Sequence, residues 1–127
     1  NYVLNIIEKT NPEYRTLAEI QLKKSLIGGF QFLNSIENNQ IIECLQQIEM
    51  DVLNKLNDSN YHAIYKKWQN ITISRERTFI ENINRNLEST NYKNAVFITG
   101  AEHKYSLEKH LDLNAIYPDK QWIYGLG

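Results

Sequence analysis

The sequence predicts an α/β domain dominated by helices, in which several amphipathic helices precede a small parallel strand-helix-strand unit at the carboxyl-terminal end. Three observations predict it. Apolar residues recur at helical spacing from Tyr14 to Leu87. Ala95-Val96-Phe97-Ile98-Thr99 is a short β-rich run that stops at Gly100, the pattern of a buried strand emptying into a loop. A second short run, Gln121 to Tyr124, follows a helical pattern and a Tyr117-Pro118-Asp119 turn. Strand, helix and strand joined so compactly imply a right-handed parallel crossover, with the helix on one sheet face.

Taken in order, Val3, Leu4, Ile6 and Ile7 predict a helical turn or two near the amino terminus. Asn11-Pro12-Glu13 is a helix start: Asn caps free amides, Pro loses nothing at the first helical position, and Glu suits the positive end of the dipole. That helix runs to about Leu26 and meets Gly28-Gly29, read as a break or kink because no phosphate-loop pattern follows. Phe30 to Leu56 predicts one or two helices with Glu37-Asn38-Asn39 as the joint. Asn57 to Asn60 is a turn and cap cluster, opening a helix with Tyr61, Ile64, Tyr65 and Trp68 on one face. Asn70 to Ile73 is read as a loop, with Ser74 capping a further helix from Arg75 to about Ser89. On that helix Phe79, Ile80, Ile83 and Leu87 form the buried stripe, and Arg75, Asn82 and Asn86 follow a neighbouring line.

At 127 residues the chain is one domain, or the carboxyl-terminal fragment of a larger one, with residues 1–70 helical and residues 74–127 carrying the candidate site. The formal charge of −1, from 14 basic and 15 acidic residues spread along the chain, leaves no basic face to neutralise many phosphates; nucleic acid is disfavoured as a partner. Cys44 is alone, which permits a reducing, cytoplasmic compartment. No apolar run approaches the ~20 residues of a membrane span.

Glu102 and His103 follow the predicted strand, at the end of an open α/β sheet where ligands and catalytic groups collect. The stretch from Arg75 to Leu111, RERTFIENINRNLESTNYKNAVFITGAEHKYSLEKHL, resembles the carboxyl-terminal part of the TraB/PrgY/GumN group, with its relatives the Tiki proteases, erythromycin esterases and ChaN-like proteins. The features that match are an Arg-led helix with Arg75, Glu76, Phe79 and Asn82, then an apolar strand ending in Gly100-Ala101-Glu102-His103. A second histidine motif, which related families carry near the start of the domain, has no match in residues 1–70.

The resemblance implies a metal-dependent hydrolase-like domain acting on a peptide or ester bond of a small-molecule or peptide substrate. His103 would be a ligand for Mn, Co or Zn or a general base, with Glu102 beside it and Arg75 holding a carboxylate or developing negative charge; Asn82 and Gly100 would border the substrate. Two other readings stand beside this one. The chain can be a helical binding module whose Trp68 and tyrosine face receives a partner, or a catalytically silent scaffold in which Arg75 pairs with Glu102 and His103 caps a helix.

Overall fold

The computed structural model describes residues 2–124. Among them the chain is all-helical, in the order α1 (Tyr2–Thr10), α2 (Pro12–Leu33), α3 (Ile36–Leu56), α4 (Ser59–Glu88), α5 (Ala101–His110) and α6 (Leu113–Ile116). The helix starts follow from local chemistry. Asn11, in extended conformation, accepts the amide of Glu13 through its side chain at 3.0 Å, and Pro12 fills the first helical position. Ser35 caps α3 by accepting from the amide of Asn38 at 3.1 Å. Asn57 ends α3 in the left-handed conformation that Asn tolerates, and Asp58 accepts the amide of Asn60 at 2.8 Å as α4 begins.

The α/β expectation is corrected: no strand occurs among the described residues. Residues 94–100 carry no regular structure, with Val96 and Ile98 71% and 86% exposed, so this is not a buried strand. A β-rich run becomes a strand only against a partner that pairs its amides and covers one face, and the second run offers none. Its backbone is engaged elsewhere: Trp122 N–H donates to Asn114 Oδ1 at 2.9 Å, and Asn114 Nδ2 donates to Trp122 O at 3.4 Å. One side-chain amide thus engages both the N–H and the C=O of Trp122.

Other boundaries shift as well. The joint between α2 and α3 falls at Asn34 and Ser35; Asn38, fully buried, sits one turn into α3, where it accepts from Gln21 Nε2 at 2.9 Å and donates to Leu33 O at 3.0 Å. Gly29 meets the expectation of a break or kink: at φ +50° and ψ −133° its backbone is non-helical, and α2 is two helical stretches joined across it. The expected loop at Asn70 to Ile73 is absent, and α4 runs through it. Breaking α4 there would create two new ends, each with four unsatisfied backbone groups, whereas one weak turn inside a long helix costs little.

The chain divides into two compact units, Asn1–Lys66 and Lys67–Leu126. In the first, Val3, Ile7, Val52, Leu53 and Tyr65 form the core, with Leu4, Tyr14, Ile48 and Tyr61 against it. Glu49 is buried beside this core and accepts from the hydroxyls of Tyr14, at 2.8 Å, and Tyr65. In the second, Ile80, Leu107, Leu111 and Leu113 form the core, covered by Ile83, Tyr117, Trp122 and Tyr124. This second core places α5 on α4 and so positions the candidate site. No helix among the described residues is long and apolar enough to cross a membrane.

Candidate functional site

The chemistry of the second unit gathers on Glu76, which lies in line with Ile80 and Ile83 at spacings of four and seven along α4 and is therefore drawn inward with the apolar stripe. It is fully buried. A buried carboxylate is costly unless donors surround it, and α5 supplies two. His103 Nδ1 lies 3.0 Å from Glu76 Oε1, and Ser106 Oγ donates to Glu76 Oε2 at 2.6 Å. The two donors are three residues apart on α5, hence on one face of that helix.

A carboxylate can only accept, so a neutral His103 ring that hydrogen-bonds an ionised Glu76 through Nδ1 would carry its proton there and its lone pair on Nε2. The side chain of His103 is 33% exposed, so the ring reaches solvent while its other edge is anchored. Phe79 meets the imidazole edge to face, with ring centres 6.0 Å apart and planes at 81°. On the same Phe79 ring lies the guanidinium of Arg75, its Cζ 6.0 Å from the ring centre. The arrangement is a carboxylate-oriented imidazole with a cation on its border.

Of the residues singled out from the sequence, His103 and Arg75 belong to this cluster. Glu102 does not: it is exposed in the first turn of α5 and forms no ion pair or hydrogen bond among the described residues, so the expected Arg75–Glu102 pair is not made. Asn82 is exposed, and its backbone carbonyl accepts from Asn86 Nδ2 at 2.9 Å, a contact internal to α4. Gly100 stands at the N-cap of α5, where an added Cβ would lie 3.9 Å from His103 Cδ2, an ordinary contact; the position does not demand glycine. His110 is exposed at the far end of α5, seven residues from His103 and so about 10 Å along the axis, too far to share an ion with it.

The resemblance implies a metal, and the described residues gather no ligand set around His103. A protein metal site needs about three or more side-chain ligands. Among the described residues no three His, Cys, Asp or Glu side chains converge. Within the cluster Nδ1 of His103 contacts Glu76 Oε1 and Ser106 donates to Oε2, so two of the candidate ligand groups already hold each other.

Ser106 escaped the sequence reading, and Glu76 entered it only as a motif match. A carboxylate in line with an apolar helical stripe was the available signal for Glu76; Ser106 carried none until α5 was placed against α4. No family model, curated protein or solved structure matches this chain.

Proposed function

We propose that the second unit carries a proton-transfer site of the hydrolase type, acting on a peptide or ester bond with His103 as general base. One observation supports the reading above others: the buried carboxyl of Glu76 lies 3.0 Å from Nδ1 of His103, whose side chain is one-third exposed. In this reading Nε2 takes a proton from a water attacking the substrate carbonyl. The imidazolium that forms is stabilised by Glu76 through Nδ1–H, as the carboxylate of a catalytic triad stabilises its histidine. The proton is then returned to the leaving group. Ser106 fixes the second carboxylate oxygen, so Glu76 has one orientation in which to hold the ring.

The resemblance to TraB-type proteins supports the same residues, since Glu76 and His103 both fall on its matching positions; the missing sheet departs from it. No step here runs through a metal. The test is hydrolysis of p-nitrophenyl acetate. The chain should hydrolyse it above buffer, His103→Ala should abolish the excess, and Glu76→Gln should lower it by about tenfold or more. Equal hydrolysis by a folded His103→Ala chain, its helicity checked by circular dichroism, would remove His103 from the reaction.

A second reading, a helical binding module, is favoured by the first unit. Leu22, Leu26, Ile27, Phe30 and Ile36 are each more than half exposed, and exposed apolar surface, where it is contiguous, marks interaction sites. The aromatic face expected to receive a partner is divided: Tyr65 is buried in the core and Tyr61 half-buried, while Trp68 is half exposed.

A further inference from the structure

From Ser25 to Ile36 no residue carries a charge, the longest such run in the chain. Within it Leu26 and Ile27 are 78% and 89% exposed, and Phe30 and Ile36 are also more exposed than buried. The other side of α2 is the one that meets α3: Gln21 donates to Asn38 at 2.9 Å, Lys24 pairs with Glu37, and Phe32 is buried. At 3.6 residues per turn, Leu22, Leu26 and Ile27 lie about 100–140° round the helix from Gln21 and so point away from α3. Leu22 and Leu26, four residues apart, are neighbours on that outer face.

The polar groups along this stretch are answered within the chain. Ser25 Oγ donates to Gln21 O at 2.7 Å, Asn34 Nδ2 to Phe30 O at 2.9 Å and Ser35 Oγ to Phe32 O at 2.7 Å. At the kink, a Cβ on Gly29 would meet nothing within 4 Å, so a neighbouring backbone has room to approach there.

The distribution of charge selects the occupant. A partner recognised by charge finds no ionised group between Ser25 and Ile36 to pair with. A lipid surface is drawn to Lys and Arg along the polar flank of a helix, whereas Lys24 is held by Glu37 and Arg15 by Glu19. A second copy of the chain requires no charge. A two-fold axis sets one patch against itself, so an uncharged patch brings no like charges together, and homodimer interfaces are apolar and depleted of charge at the centre. Lys23, exposed beside Leu22, falls at the rim. An antiparallel crossing centred on Leu26 and Ile27 leaves the two Lys23 residues about 10 Å apart along the helix axis.

We infer that the first unit pairs with a second copy of the chain, as a two-fold dimer across the α2 face centred on Leu26 and Ile27. This rests on the binding-module reading of the first unit, names its partner, and is independent of His103.

The experiment is sedimentation equilibrium of the whole chain from about 1 μM to about 500 μM, the range in which a small reversible interface declares itself. The average mass should climb from 15.0 kDa toward twice that value. It should stay at the monomer value in Leu26→Glu combined with Ile27→Glu, with helicity unchanged by circular dichroism. Phe30→Ser, a milder change at an exposed position, should raise the dissociation constant about tenfold. A monomer at every concentration, or a dimer that persists in the folded double variant, would overturn the inference. In a monomeric chain, ANS fluorescence that the double variant loses would leave the binding-module reading standing; dye binding equal in both would overturn that reading too. A monomer that co-sediments with phosphatidylcholine–phosphatidylserine vesicles, and ceases to do so in the double variant, would give the face to lipid and overturn the dimer.

Discussion

At the residue scale, burial with or without a partner separates positions that composition treats alike. Glu49 and Glu76 are both buried carboxylates, and each is answered by two donors: tyrosine hydroxyls for the first, His103 and Ser106 for the second. Tyr124 is the opposite case. Its hydroxyl is out of water with no hydrogen-bond partner among the described residues. Burial pushes its phenol above the ordinary tyrosine value, and the carboxylates of Glu108 and Asp112 push it the same way. The folded chain thus holds Tyr124 neutral where the unfolded chain has begun to ionise it. The associated stability is fully present below the unfolded value of about 10 and is lost as pH rises through the folded one. Tyr124→Phe removes an unpaired buried hydroxyl. Urea unfolding should find it equal to or more stable than the parent, by up to about 1 kcal/mol, and should find its stability falling less at alkaline pH. A clear loss of stability in Tyr124→Phe would mean that the hydroxyl has a partner.

At the element scale, the helices were legible because their signals are local. The 3.6-residue period, Asn11-Pro12 at one start and Asn57-Asp58 at another each act within a turn or two. What failed were features that depend on distant chain. Asn70-Ile71-Thr72-Ile73 has weak helix formers and reads as a loop, yet α4 continues through it, with Thr72 Oγ1 donating to Trp68 O at 3.2 Å. The run from Ala95 to Thr99 has strand propensity but no strand to pair with. Helix α2 shows where period and burial part: Leu22, Leu26 and Phe30 recur every four residues and yet stay exposed, across a kink that Gly29 permits at φ +50°. If this face is a docking surface, it should bind the apolar dye ANS, and Leu26→Glu combined with Ile27→Glu should abolish most of that fluorescence without loss of helicity. Undiminished dye binding in the double variant would place the accessible apolar surface elsewhere.

At the scale of the whole molecule, two cores divide the chain, and the candidate site belongs wholly to the second unit. His103 and Arg75 stood out in the sequence as a histidine just past an apolar run and an arginine at the head of an expected helix, but Arg75 lies inside α4 and leads no helix. The relation between them was not legible there. It arises from Glu76, Phe79 and Ser106 once Leu107 and Leu111 pack with Ile80 and bring α5 onto α4. Glu102 and Gly100 were chosen as neighbours of a strand end, and with no strand among the described residues they lose the geometry that recommended them; Asn82 was chosen on the line of Arg75 along a helix, and it is exposed there.

The central claim is that Glu76 fixes the tautomer and orientation of His103, and the most direct measurement is a long-range nitrogen–proton correlation NMR spectrum of the imidazoles at mildly alkaline pH. In the unaltered chain His103 should appear with its proton on Nδ1 and a bare Nε2, while exposed His110 shows the usual Nε2-protonated form; Glu76→Gln should shift His103 toward the pattern of His110. A His103 protonated on Nε2, or one indistinguishable from His110 in both chains, would contradict it.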